Sequence, residues 1–319
     1  MGPDTDSPVI RLLNGRRLLY WRIAAIFCFV FACIVSTKHF SSRSTIASTK
    51  PHIARLVIRG VIKNDVSRVT DALAKAQKSP SVTGLLLVVD SPGGGVTGGE
   101  RLHDAIANFA AVKPVVVSMG DMGASAAYML SVPAQHLVAR PSTLTGSIGV
   151  IMQRADISGL LSRWGVAMDA ITSGKMKDQT DPTSALTPEG RAMLQGLVDD
   201  LFGQFVQMVA DGRHMPVEKV RELADGRAYT GHQAIALNLV DELGDENVAR
   251  RWLDNRLHMS SDYPVAALLP AHDQHWYENL FGRRRSAMLE WMIGTQAEFF
   301  LKERAASLWL DGPVAILQL

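Results

Sequence analysis

Apolar and polar positions alternate along this chain in two rhythms. Ile53 to Ile62 reads as a strand, and Asp65 to Lys78 as an amphipathic helix with Val66, Val69, Leu73 and Ala76 on one face. Gly84-Leu-Leu-Leu-Val-Val89 is a continuous apolar run, the pattern of a strand covered on both faces. Asp90-Ser-Pro-Gly-Gly-Gly95 breaks it, and a helix follows to about Ala110. A strand over 114–119 leads into Gly120-Asp-Met-Gly-Ala-Ser125 and a helix from Ser125 to about Ser131. Further strand segments fall at 136–139 and after Gly146. Strands alternating with helices predict parallel βαβ units.

Thr187-Pro-Glu opens a long helix over 187–211, with threonine at the N-cap and proline at the first position. Met193, Leu197, Leu201, Phe205 and Val209 form one apolar stripe, and Leu194, Val198, Phe202 and Val206 a second beside it. So wide a face predicts burial in the core or against another subunit. A helix near 231–237 ends at Asn238, which tolerates the left-handed conformation of a helix end. Leu239-Val-Asp-Glu-Leu-Gly244 closes a compact domain over 52–245. Residues 246–319 form a tail in which Ser286–Leu308 reads as an amphipathic helix. The tail's apolar end, Val314–Leu319, looks like a peptide substrate and is expected in the groove of its own chain or a neighbour's.

The amino-terminal region obeys a different pattern. Residues 1–22 are polar and carry Arg11, Arg16, Arg17 and Arg22, and an apolar core fills 23–37. Extended over 18–37 it reaches the roughly 20 residues that a bilayer requires, with Tyr20 and Trp21 at the interface position. Arginines before the span put residues 1–22 in the cytoplasm and everything after it outside. No Ala-x-Ala site occurs in 31–37, so an uncleaved single-pass anchor is expected rather than a signal peptide. Residues 38–51, rich in Ser, Thr and Lys, read as a tether.

Composition narrows the function. The 319 residues are 47% hydrophobic and 20% charged, with a net charge of +2, which argues against a nucleic-acid partner. Both cysteines, Cys28 and Cys33, fall in the apolar segment, so the globular part has neither a disulfide framework nor a cysteine metal site. No zinc-ligand spacing occurs.

The chemistry gathers around Ser125. A serine at a tight strand-to-helix turn presents its hydroxyl away from the backbone, near N–H groups that can stabilise an oxyanion. By itself such a serine is also an ordinary N-cap. Pro92-Gly-Gly-Gly95 is neither a Walker A loop nor a dinucleotide fingerprint, but it brings bare backbone N–H groups near a ligand. Thr145-Gly-Ser-Ile-Gly149 is a second glycine turn, with Ser147 free to bond a neighbour. The nine histidines are scattered, most look peripheral, and none has a convincing acid partner nearby. A lysine serves as base when burial disfavours its charged form. The segment Thr172-Ser-Gly-Lys175-Met-Lys177-Asp178 offers two, and periodicity does not choose between Lys175 and Lys177.

Six motifs occur in order: Ser-Pro-Gly-Gly-Gly-Val96, Met-Gly-Ala-Ser125-Ala-Ala-Tyr128, Leu-Thr-Gly-Ser147-Ile-Gly-Val150, Ser-Gly-Lys-Met-Lys177-Asp178, Ala-Asp-Gly-Arg-Ala-Tyr-Thr-Gly231 and Leu-Val-Asp-Glu-Leu-Gly244. Each is weak alone; in register over about 53–245 they resemble the signal peptide peptidase A (SppA) family in its half-length form. That resemblance implies an α/β, ClpP/crotonase-like fold of repeated ββα units, here preceded by one transmembrane helix. It implies a membrane-anchored serine endopeptidase with a Ser–Lys dyad, acting on remnant signal peptides and other apolar peptides at the periplasmic face of a bacterial inner membrane. Ser125 matches the nucleophile and Lys177, through Ser-Gly-x-x-Lys, the general base. Ser147 matches the serine that positions the lysine, and the N–H groups of Gly94 and Ala126 the oxyanion hole. No metal or cofactor is implied. A homo-oligomer with each site completed by a neighbour is implied, because the full-length relatives draw the serine and the lysine from tandem halves. The family usually has Gly-Gly after the nucleophile, where this chain has Ala126-Ala127. Backbone N–H groups survive that change unless the turn needs a positive φ. Two other classes remain: a catalytically silent peptide-binding scaffold, and an acyl-CoA enzyme of the crotonase type with Glu100 as its nearest candidate acid.

Overall fold

The computed structural model describes residues 50–269 and the backbone of 314–316. The expected anchor over 18–37, most of the tether and the helix expected over 286–308 lie outside the described residues. Among the described residues no helix is long and apolar enough to cross a membrane.

The elements follow the predicted alternation. Strand β1 (His52–Arg59) leads through α1 (Ser67–Lys78) to β2 (Val82–Ser91), and the short β3 (Gly93–Gly95) precedes α2 (Val96–Ala110). Then come β4 (Val115–Ala124), α3 (Ala126–Ser131), β5 (His136–Ala139), β6 (Leu144–Gly146) and α4 (Ser158–Arg163). The long α5 (Pro188–Arg213) is followed by α6 (Val217–Leu223), β7 (Ala228–Thr230), α7 (Gly231–Ala236), β8 (Glu242–Leu243), α8 (Glu246–Leu257) and β9 (Val265–Ala267). The last described element is β10 (Val314–Ile316).

The main sheet runs β7-β6-β4-β2-β1-β9, with β5 on the first half of β4 and β8 beyond it. All its pairs are parallel except β6–β7. The apolar run of β2 is covered on both faces, as its sequence predicts. Leu85, Leu87 and Val89 face a core shared with α1, α2 and α3, while Leu86 and Val88 face Ala249 and Leu253 of α8. One strand thus divides its side chains between two hydrophobic layers.

Two predicted boundaries shift, and one predicted face is less covered than expected. Strand β4 continues past Met119 to Ala124, because Met122, Gly123 and Ala124 pair with β6. Its glycines hide that continuation from the apolar pattern. The domain expected to end at 245 extends to Leu269: Ala249 and Leu253 bury against the sheet, and β9 adds to the edge of β1. The broad face of α5 is only partly buried, with Phe205, Val206, Val209 and Ala210 in the core and Leu197 exposed. Its N-terminus is capped as predicted, Thr187 Oγ1 accepting from the Gly190 N–H at 2.9 Å. Asn238 takes the left-handed conformation at φ 59°.

Candidate active site

The first half of β4 is locked between β2 and β5, and its second half is stitched to β6. Thr145 Oγ1 donates to the Gly123 carbonyl (2.8 Å) and Thr143 Oγ1 to that of Gly120 (2.6 Å). The strand therefore delivers Ser125 to a fixed point at the start of α3, whose residues are all buried. Ser125 has φ 56° and ψ −121°, a conformation that strains a residue with a Cβ. The surrounding bonds hold it there: its N–H donates to the Gly146 carbonyl at 2.8 Å, and its own carbonyl accepts from the Met129 N–H at 2.9 Å.

The Ser125 side chain caps nothing. It is 0% exposed, and its Oγ has no hydrogen-bond partner among the described residues. A buried hydroxyl without a partner is disfavoured by about 1–3 kcal/mol, so the ordinary capping role does not account for this serine. The positive φ falls on Ser125 and not on Ala126, so the turn accepts alanine where the resemblance expects glycine. Room for the Ala126 methyl comes from Gly99 of α2, where a Cβ would stand 3.0 Å from it.

Strand β3 packs beside α3. The Ile62 N–H donates to the Gly93 carbonyl and the Gly95 N–H to the Ile62 carbonyl, both at 2.8 Å. Any Cβ at Gly94 would meet the Ile62 carbonyl oxygen at 2.1 Å, so this close approach requires glycine. Neighbouring backbone groups of an extended segment point to opposite sides, so the Gly94 N–H and C=O face away from Ile62. Ser91, fully buried, accepts from the Gly93 N–H at 3.1 Å and fixes the turn into β3. Neither Ser91 nor the two threonines was singled out by the sequence; their roles depend on partners more than 20 residues away or on one isolated hydroxyl.

Ser147 is buried with φ 48° and donates its N–H to the Arg227 carbonyl. It lines a cavity of about 290 Å³ with Gly149, Val150, Phe202 and Gly226. Gly94, Ser125, Ala126 and Ser147 thus belong to neighbouring parts of one sheet end, since Ser125 follows β4 and Ser147 follows the adjacent β6.

The lysines are not brought to that place. Lys175 and Lys177 are both exposed, and neither ammonium group makes a hydrogen bond or an ion pair among the described residues. Their loop is nonetheless built. Gln179, buried, donates to the Lys175 carbonyl at 2.9 Å and accepts from Thr187 Oγ1 at 2.9 Å. Arg154 donates to the backbone carbonyls of Gln179, Asp181 and Ser184. Arg154 was also missed in the sequence, where a lone arginine reads as a surface charge. Glu100 lies on α2 and makes no hydrogen bond to β3 or Ser125 among the described residues.

Known proteins resemble this chain over most of the described residues. A model of peptidase family S49 matches residues 107–260, and a Clp protease model matches 46–151. A Synechocystis sp. protein named as a protease, slr0021, is 39% identical over 205 residues, covering 64% of this chain and 74% of the relative. Protease 4 of Salmonella typhi is 42% identical over 171 residues, 53% of this chain and 28% of the relative. An Enterococcus faecium protein named as signal peptide peptidase SppA is 37% identical over 173 residues, 54% of this chain and 50% of the relative. With its ClpP-like α/β fold and these relatives, the chain belongs to peptidase family S49, as a serine peptidase of the SppA type.

Proposed function

We propose that Ser125 is the nucleophile of this peptidase and that Lys177 of a neighbouring subunit is its general base. The observation that carries the reading is the Ser125 hydroxyl, buried, without a partner and held in a strained turn beside β3. A lysine acts as a base only when enclosed away from water, and Lys177 is exposed in the single chain. A second subunit supplies the enclosure, and the half-covered face of α5 is suited to receive it.

Ser125 Oγ attacks the peptide carbonyl while the neutral Lys177 amine takes its proton. The N–H groups of Gly94 and Ala126 bind the oxyanion as it forms. The ammonium then protonates the leaving amine, and water, deprotonated by the same lysine, hydrolyses the acyl-enzyme. Ser147 holds the lysine by a hydrogen bond. Extended apolar peptides, among them remnant signal peptides, are the substrate class, bound at the outer face of the membrane by an enzyme anchored through residues 18–37. The arginines before that apolar run support this orientation.

The test measures hydrolysis of a fluorogenic apolar peptide, with fluorophosphonate labelling of the serine. Ser125→Ala and Lys177→Ala should each lower kcat by about 10³-fold or more while the fold is kept. Ser125→Ala should also lose the label. Loss of activity in Lys175→Ala with Lys177→Ala intact moves the base by two residues. A folded, assembled parent that neither hydrolyses nor labels leaves the scaffold reading in its place.

A further inference from the structure

Strand β3 has two edges, and both are taken. One is held by Ile62 through the two 2.8 Å bonds with Gly93 and Gly95. Along the other lies the chain's own carboxyl-terminal segment. Val314, Ala315 and Ile316 run antiparallel to β3, opposite Gly95, Gly94 and Gly93 in turn. Ala315 therefore faces the glycine whose N–H and C=O point away from Ile62.

We infer that the carboxyl-terminal strand is a tethered competitor, occupying the one edge of β3 to which an extended substrate peptide can add. The inference rests on reading Ser125 and β3 as the active site. The Ile62 edge is closed by main-chain bonds within the fold, so tail and substrate exclude each other on the edge that remains. Recognition by strand addition rests on backbone bonds, and three glycines present no side chains to select among strands. The tail is matched to such a surface: residues 313–319, Pro-Val-Ala-Ile-Leu-Gln-Leu, carry no charged side chain and are mostly apolar. A three-residue ladder is weak in isolation, yet its covalent connection to the same chain raises its local concentration to about the millimolar range. The result is a contact strong enough to hinder a dilute substrate and weak enough to yield to an abundant one.

The experiment compares the full chain with a form ending at Gly312. Removing 313–319 should lower the apparent KM for a fluorogenic apolar peptide by about threefold or more, as expected when a tethered competitor is lost, with kcat unchanged. In the full chain, Ala315→Pro should give the same shift, since proline removes the N–H that faces Gly94. A fluorescein-labelled peptide of sequence 313–319 should bind the shortened Ser125→Ala protein, measured by anisotropy, at least about tenfold more tightly than the full-length Ser125→Ala protein. Unchanged KM in both altered chains, or equal binding of the labelled peptide to the two Ser125→Ala forms, overturns the inference. The binding measurement needs no catalysis. Activity retained by Ser125→Ala beside peptide binding therefore faults the assignment of Ser125, and activity lost by Ser125→Ala with equal peptide binding to the two forms faults the tail.

Discussion

The turn around Ser125 and the loop around Lys177 differ in how far a single chain completes them. Ser125 is buried, its backbone bonded on both sides, its neighbours in α3 without access to water. Residues 157–176, by contrast, leave Ile157, Leu160, Trp164, Val166, Met168, Ile171 and Met176 exposed, with Trp164 at 75%. Few proteins leave so many large apolar side chains in water along one segment, and contiguous patches of this kind mark interaction surfaces. Among the described residues the first region has a hydroxyl without a partner, and the second has an exposed lysine beside apolar side chains. The two are complementary, and the proposed function requires a second copy of the chain to bring them together.

The sharpest way to break this comparison is to mix defective chains. Ser125→Ala and Lys177→Ala subunits, each inactive alone, should regain activity when co-assembled. In a ring of equal parts, about a quarter of the interfaces would pair an intact serine with an intact lysine. If one chain supplies both groups, no mixture recovers anything. The readout is peptide hydrolysis by the co-expressed, co-purified pair.

Trp164→Asp tests the second region directly. The side chain is three-quarters exposed in the single chain, so the fold should hold to within about 0.5 kcal/mol. Burying a carboxylate at an interface should break assembly and lower activity by about 10²-fold or more. Sedimentation together with a thermal melt separates the two effects. A variant that stays assembled and active shows that these apolar residues serve some other purpose.

Much of the first region is readable from sequence, and little of the second. The strand period of β2, the Ser125 turn, the Thr187 cap and the left-handed Asn238 all follow from local rules, because each depends on residues a few positions apart. The continuation of β4 past Met119 does not. Gly120 and Gly123 give no apolar signal, and only pairing with β6 makes that stretch a strand. Arg154 and Gln179 acquire their roles from carbonyls and a hydroxyl 4–30 residues away. The choice of Lys177 over Lys175 came from the family motif, and the single-chain geometry, with both exposed, does not add to it.

The rigidity of the first region has a partner in charge. Arg213, at the end of α5, donates to both carboxylate oxygens of Asp241, and Asp241 also accepts from the Leu137 N–H of β5. Burial alone would raise the Asp241 pKa, but these bonds and the Arg213 charge hold it below the ordinary carboxylate value. A folded-state pKa that is depressed contributes stability above the unfolded value of about 4, lost as pH falls through the folded one. Asp241→Ala should therefore destabilise the protein by about 3 kcal/mol at pH 7, lowering Tm by about 6–12 °C. The difference from the parent should shrink below about pH 4. A pH-independent difference would assign the loss to packing.

The smallest effect lies where the second region meets α5. Thr187 Oγ1 accepts from the Gly190 N–H and donates to Gln179, whose amide holds the Lys175 carbonyl. Thr187→Ala removes a helix cap, which costs about 1 kcal/mol of stability, and also frees the lysine loop. If the loop matters only as an interface, Thr187→Ala should weaken assembly and leave kcat of the assembled enzyme unchanged. If it also positions the base, kcat should fall about threefold to tenfold, and Thr187→Ser, which keeps both hydrogen bonds, should restore it. Rescue by serine of stability without kcat would place the control of Lys177 in the neighbouring subunit and not in its own loop.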